Sequence, residues 1–526
     1  MTCWLLRRFR NAKISGVYRR VAAGHQNLAI LTISAGTLIR IPQLGFVLGD
    51  SNDFRKTQTA FVARKFFREG IDLFSYPLPV FGSAQGVHLE MPIFQAGAAL
   101  IQHLGVSEDA SGQLLSLIMF QLASVLTWLL CKRWFDAKVA LISVILLQFI
   151  PYSMEWASAY LIESTALAFS LTAVLLIDNW TRHQRVLSLI CATLFASLAF
   201  LTKITTPVGW LLGATLYLFL SAPRNDLLSR RLMAAWPALL VSAVGLLAGL
   251  GWTSFADSVK EKHPITTFLT SSSLSSWNFG TLQQRLDPYI YVVFGARTWL
   301  EIMGFTFLLI PIVAIRHVRD KSLDSLVSPL AIAVAVVFGP LVFFNIFQHD
   351  YYFLAILPGM TILAAWAITE FSRLFFPNQP RCGVIWMSVL LLLTLWTSFW
   401  GARDLHSAFV SPKQYQLATI IRENTEPDSR LLMVGCDWNP TLLYYSDREG
   451  LMIPDWYIKG DYLRTGFMGP KWGDWKDRMK TLWEVENIHD YNYLVTCDSQ
   501  MRDLQNLETI EYQTVVDDFL YRIEKS

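Results

Sequence analysis

A chain that repeats apolar runs of about 20 residues, separated by short basic segments, has few ways to fold in water. This chain has eleven such runs, near 27–47, 112–131, 138–153, 161–179, 186–202, 206–221, 233–252, 298–315, 326–346, 353–371 and 382–400. Its 526 residues are 53% hydrophobic and 16% charged. That balance excludes a disordered chain, a secreted disulfide scaffold and a basic nucleic-acid binder. The expected fold is a polytopic α-helical membrane protein of about eleven spans, the third and fifth being short enough to tilt or end at depth.

The basic residues fall on alternate sides of these spans. Arg7, Arg8, Arg10, Lys13, Arg19 and Arg20 precede the first span, and no acid appears before Asp50. Lys132, Arg133 and Lys138, then Arg182 and Arg185, then Arg224, Arg230 and Arg231 follow on the same side, as do Arg316, Arg319, Lys321, Arg373 and Arg381. Positive segments stay inside. The N-terminus is therefore expected in the cytoplasm and, with an odd number of spans, the tail outside a plasma or inner membrane. The basic start and first apolar run resemble a signal peptide, but the run continues through Arg40 and Pro42 without a small-residue cleavage site.

Three substantial pieces then face outward: a loop at 48–111, a loop at 253–297 and the tail at 403–526. The tail carries 14 basic and 21 acidic residues, against 30 and 20 in residues 1–402. The split predicts two domains, a membrane domain (1–402) and an extracytoplasmic α/β domain (403–526). In the tail, Gln414–Asn424 reads as helix, Arg430–Gly435 and Tyr493–Thr496 as buried strands, and Tyr512–Val516 with Phe519–Ile523 as a hairpin or edge strands. Cys436 and Cys497 both end apolar runs; if those runs are neighbouring parallel strands, a disulfide and two thiols are both open. Cys436-Asp437-Trp438-Asn439-Pro440 is a loop at a strand end, where α/β domains bind ligands or carry a lid. There is no GxGxxG and no P-loop.

With inner loops short, chemistry is expected outside. Asp50 and Asp53 stand where the first span leaves the bilayer, in Gly49-Asp50-Ser51-Asn52-Asp53, where capping is the plain alternative. Residues Thr57 to Glu69 have helical spacing, an apolar side and Arg64, Lys65 and Arg68 on the polar side, which suits a membrane surface. Glu90 sits among apolar residues in His88-Leu89-Glu90-Met91-Pro92. Glu163 opens the fourth span, and ionisable groups at such depth are candidates for function. Arg55, Lys203, Arg285, His349, Tyr351 and Tyr352 are potential partners on the same side; each alone is more often an interfacial anchor. Together they suit an anionic headgroup, with cations for phosphate and a carboxylate to take a hydroxyl proton.

The pieces FRKTQTAFVARKFFREGIDLFSYP, HLEMPIFQ, LAFLTK, PITTFLTSSSLSSWNFGTLQQRL and HDYY, in this order, resemble the GT-C membrane glycosyltransferases of the glycosyltransferase family 39 type. That group is similar to protein O-mannosyltransferases and lipid A aminoarabinose transferases. The resemblance runs from about Asp50 to Arg403. It implies a polyprenyl-phosphate-linked sugar as donor, membrane lipid surroundings, and a lipid, protein or glycan hydroxyl as acceptor. It gives Asp53, with Asp50 as fallback, the role of general base. Glu90 matches the second family acid, and Lys203, Arg285 and His349 match phosphate-holding positions. The family's Asp-Glu doublet is absent, since Phe54 follows Asp53. No ligand spacing demands a metal, although the outer acids leave room for a divalent one. A transporter or flippase would instead predict paired broken helices and internal repeats, and a non-catalytic lipid-sugar-binding protein is the third reading.

Overall fold

The computed structural model describes residues 24–48, 52–84, 87–223, 227–320, 322–401, 412–454, 457, 475–497, 512–516 and 518–524. Asp50, Cys3, Arg224, Lys321, Arg403 and the basic residues up to Arg20 lie outside these.

Each of the eleven apolar runs falls on helix. The chain begins with α1 (24–40) and adds α2 (Asp53–Glu69) and α3 (Ile93–His103) from the first long loop. There follow α4 (Glu108–Trp134), α5 (Ala137–Phe149), the short α6 (Pro151–Trp156), α7 (Glu163–His183), α8 (Val186–Thr202), α9 (Thr205–Ser221) and α10 (Leu228–Lys260). Among the described residues, four helical stretches are individually long and apolar enough to cross a membrane: Glu108–Trp134, Leu228–Lys260, Leu323–Val342 and Pro380–Gly401. A fifth candidate is a pair bent by 96°, Pro288–Met303 with Thr306–Arg319. The protein is integral to a membrane, with its helices packed as a bundle.

Local sequence accounts for the helix joints. At the start of α5 the Asp136 carboxylate accepts hydrogen bonds from the backbone N–H of Lys138 (2.7 Å) and Val139 (3.1 Å), satisfying donors that no helical carbonyl can reach. The α9 helix packs on Val327–Val342 through small residues. A Cβ added at Gly209 would stand 2.3 Å from the Ala335 carbonyl oxygen, so only glycine lets these backbones approach. Inside the bundle Arg40 is fully buried, donating to the carbonyls of Gly36 (2.7 Å) and Gln148 (2.9 Å), which meets a requirement water cannot meet there.

The tail is a five-stranded sheet in the order β2-β1-β3-β5-β4. The strands are β1 (Arg430–Val434), β2 (Glu449–Ile453), β3 (Tyr493–Thr496), β4 (Tyr512–Val516) and β5 (Leu520–Ile523). The first three run parallel, while β5 pairs antiparallel with β3 and β4. The sequence missed β2. Because β1 and β3 are parallel neighbours, the cysteines just beyond their ends meet, and Cys436 is bonded to Cys497.

The first long loop docks on the sheet's exposed edge. Gly82 N–H donates to the Gly450 carbonyl (3.0 Å), Gly450 N–H to Pro79 (3.1 Å) and Met452 N–H to Val80 (2.8 Å). An edge that would otherwise offer unpaired backbone groups is thereby covered. Side chains reinforce the contact. The carboxylate of Glu486, from the sheet side, accepts from Ser83 N–H (2.6 Å), Ser83 hydroxyl (2.7 Å), His263 Nε2 (2.9 Å) and Tyr491 hydroxyl (2.5 Å). Helix α2 is not the expected surface helix. It packs against α3 and the tail helix Thr441–Ser446, because Arg64, Lys65 and Arg68 find carboxylates there: Glu108, Asp447 and Glu449.

Burial raises the Glu486 carboxyl's pKa, but the donors from His263, Tyr491 and Ser83 outweigh it, bringing it from 4.5 to about 2. A depressed folded-state value stabilises above the unfolded pKa and is lost as pH falls through the folded one. At pH 7 Glu486→Gln should therefore destabilise the protein by on the order of 2 kcal/mol. Thermal denaturation in detergent should show that difference shrinking between pH 4.5 and pH 2. The Cys436–Cys497 bridge closes a loop of 61 residues, and replacing both with Ser should cost about 4 kcal/mol by the chain-entropy relation, read as a lower midpoint in the same experiment.

Candidate active site

A cavity of about 630 Å³ lies between the helix bundle and the tail. Its wall takes residues from the start of α2, the 89–90 segment, the α8–α9 junction, α10, the 268–278 segment, the 345–352 segment and the loop after β1. Seven parts of the chain thus meet around one space.

Two buried ion pairs set its charge. Arg55 Nη2 lies 2.7 Å from Glu90 Oε2, and Arg55 also bonds Gln58. Glu90 Oε1 accepts from Tyr76 hydroxyl (3.0 Å) and Gln95 Nε2 (2.7 Å). Burial alone would raise the Glu90 pKa, and the guanidinium of Arg55 overcomes it, holding the carboxyl below the usual carboxylate range. Glu90 is consequently a fixed anion whose lone pairs are largely committed. Its place follows from the backbone: Met91 N–H donates to the Leu201 carbonyl (3.0 Å), joining this segment to the end of α8.

That end is where Lys203 stands. Its ammonium pairs with Glu163, whose side chain is fully buried at the start of α7. The second oxygen of Glu163 has no hydrogen-bond partner among the described residues. Lys203 Nζ also lies 3.7 Å from the ring centre of Tyr352 and 5.3 Å from that of Tyr351, an arrangement that favours a cation over a ring face. An ammonium has three donors; one is on Glu163, and the cavity is open to the others. His349 stacks on Tyr351 (5.3 Å, 18°) and meets Trp277 edge-on at 5.3 Å. Burial, with the charges of Lys203, Arg55 and Arg297, brings its pKa down to about 4, so it is neutral at pH 7.

Of the residues named from sequence, Arg55, Glu90, Lys203, His349, Tyr351 and Tyr352 line this one cavity, and Glu163 stands behind Lys203. Asp53 is beside it, between the lining residues Asn52 and Phe54. Its Oδ1 accepts from Phe54 N–H (2.6 Å) and from Asn439 Nδ2 (3.2 Å) of the tail. Asp50 lies outside the described residues. Two residues are elsewhere. Arg64 is buried under the tail, on the Tyr444 carbonyl (2.6 Å) and on Glu108. Arg285 donates to the carbonyls of Leu341 and Val342 (both 2.8 Å), capping the end of the helix Val327–Val342. The sequence reading missed Gln58, Asn278 and Asn345, the last two hydrogen-bonded at 3.0 Å. Gln58 lies on α2, Asn278 on the short helix Ser275–Phe279 and Asn345 on the 3-10 turn Phe344–Phe347, and as uncharged residues they gave no signal that would have marked them. Among the described residues, no group of three or more His, Cys, Asp or Glu side chains is placed to hold a metal ion.

Removing one member of a buried pair strands the other. Glu163→Leu or Lys203→Met should each destabilise by about 3–5 kcal/mol, while the two combined should cost less than their sum. Thermal midpoints of the four proteins close that cycle; additive losses would mean that the pair is not coupled.

Residues 91–252 match the family model described as dolichyl-phosphate-mannose-protein mannosyltransferase. No curated protein matches the sequence. Among solved structures, ArnT from Cupriavidus metallidurans bound to undecaprenyl phosphate superposes with a TM-score of 0.56 at 14% identity, over 94% of this chain and 97% of that one. The oligosaccharyltransferase AglB from Archaeoglobus fulgidus, in complex with an inhibitory peptide and a dolichol-phosphate, gives 0.55 at 13% identity, over 92% and 70%. The chain has the fold of the GT-C membrane glycosyltransferases.

Proposed function

We propose that the protein transfers a sugar from a polyprenyl-phosphate donor to an acceptor hydroxyl, in the cavity between bundle and tail. The observation that carries this reading is the gathering of Arg55–Glu90, Lys203–Glu163, His349 and Tyr352 around one space of about 630 Å³. The undecaprenyl phosphate of the ArnT structure and the dolichol-phosphate of the AglB structure favour the same donor class. The distribution of basic residues supports an extracytoplasmic site, with residues 1–402 as the catalytic domain and 403–526 covering it.

In this reading the spare donors of Lys203 and Arg55 hold the lipid phosphate and stabilise it as it departs. The anomeric carbon passes through an oxocarbenium-like state, and in-line attack by the hydroxyl inverts its configuration. Glu90, bonded on both oxygens, serves to hold Arg55 rather than to accept a proton. Proton acceptance goes to Asp53, at the cavity's edge. The acceptor is a hydroxyl of a lipid, a protein or a glycan.

The test is release of undecaprenyl phosphate from a panel of undecaprenyl-phosphate sugars by purified protein. Asp53→Asn should lower kcat on the order of a hundredfold with donor KM little changed. Glu90→Gln should raise donor KM by freeing Arg55. Full activity in Asp53→Asn removes it from the base's role. A wild type that binds undecaprenyl phosphate yet releases none from any donor would favour a binding or flipping protein.

A further inference from the structure

The loop after β1 enters the cavity wall with Asp437 and Trp438, the middle of the Cys-Asp-Trp-Asn-Pro segment. Nothing in phosphate binding or proton transfer uses either side chain. We propose that Asp437 and Trp438 form the subsite that holds the donor's sugar ring, so that the tail reads which sugar is transferred. This inference rests on the transferase reading above.

Three observations converge on it. First, the chemistry suits a carbohydrate. A sugar ring offers hydroxyl donors at its rim, which a carboxylate accepts through charge-assisted hydrogen bonds, and apolar C–H faces, which pack on an indole. Secondly, the placement is right. Lys203 comes from the bundle and Arg55 from α2, and these two residues line the same space from the tail. In a glycosyl phosphate the sugar is bonded directly to the phosphate, so a phosphate on Lys203 leaves its sugar within that space.

Thirdly, the loop is held in a defined shape. Asp437 has φ +55°, in the left-handed region, and so does Asn52 in the adjoining stretch before α2, with φ +63°. These are two of five non-glycine residues with positive φ among those described. Such conformations persist where surrounding structure enforces them, and they gather at functional sites. Here the enforcement is visible. Cys436, the preceding residue, is bonded to Cys497. Trp438 meets Phe54 edge-on at 4.6 Å and lies nearly parallel to Phe81 at 5.9 Å.

The experiment measures binding of bare undecaprenyl phosphate and of undecaprenyl-phosphate glucose, mannose, galactose and aminoarabinose to full-length protein in detergent. The variants are Asp437→Asn, which the left-handed backbone accepts as readily as Asp, and Trp438→Phe, which keeps an aromatic in the Phe54 and Phe81 contacts. Asp518→Asn, at φ +65° in the β4–β5 turn, is the control. In the wild type at least one sugar should tighten binding over the bare lipid. Asp437→Asn should cut that gain about tenfold or more, Trp438→Phe should reduce it, and neither should alter the affinity for undecaprenyl phosphate itself. An unchanged gain in both variants, or no gain with any sugar in the wild type, overturns the subsite while leaving phosphate binding intact. A wild type that fails to bind undecaprenyl phosphate overturns the transferase reading, and this inference with it.

Discussion

A charge taken out of water must keep a partner, and that constraint organises this molecule. Lys203 ends a membrane helix whose residues are otherwise apolar or small and uncharged, and it is tolerated there because Glu163 meets it from the start of α7. Arg55 is tolerated because Glu90 meets it from beyond the first loop's turn. Neither pair is local in sequence, so each requires the helices that carry it to be packed correctly before the charges are neutral. The pairs are therefore both the outcome of the fold and a check upon it. They also leave the cavity with donors that are charged, held in place and only partly used, which is the condition in which an arriving phosphate gains most.

The tail completes this arrangement. Its β2 edge takes the 79–82 segment as a partner, Glu486 takes Ser83 and His263, and Asn439 reaches Asp53. One loop of the chain thus lies in contact with bundle and tail alike. Glu90, eight residues past that edge contact, and Arg55, on the helix leading into it, are positioned by the same docking. A site divided between two parts of a chain in this way takes shape only when both have docked.

What the sequence disclosed follows from which signals are local. Apolar windows disclosed the long helices of the bundle, because burial in lipid needs an uninterrupted run, but not Pro288–Ala296, which fell in the segment expected as an outer loop. Alternation and turn residues disclosed β1, β3, β4 and β5. The short β2 escaped because Glu449-Gly450-Leu451-Met452-Ile453 has neither alternation nor a run long enough to stand out. At the site, Glu90 and Lys203 were legible as charges in apolar surroundings. Arg64 was legible only as a cation on a polar helix face and is used otherwise, since a guanidinium bound for a domain interface looks identical in sequence to one bound for a cavity. Asn278 and Asn345 were not legible at all, being uncharged and on helical turns of only five and four residues.

The resemblance read from sequence leads one to expect an acid after Asp53, where this chain has Phe54, and the structure shows what Phe54 does there. Phe54 lines the cavity and meets Trp438 edge-on. A carboxylate at that position would lie against the indole and would need another polar partner. An aromatic there instead extends an apolar wall from α2 into the tail, continued by Phe81 and Phe268 around the same indole. Phe54 thereby helps to hold the loop after β1 in place.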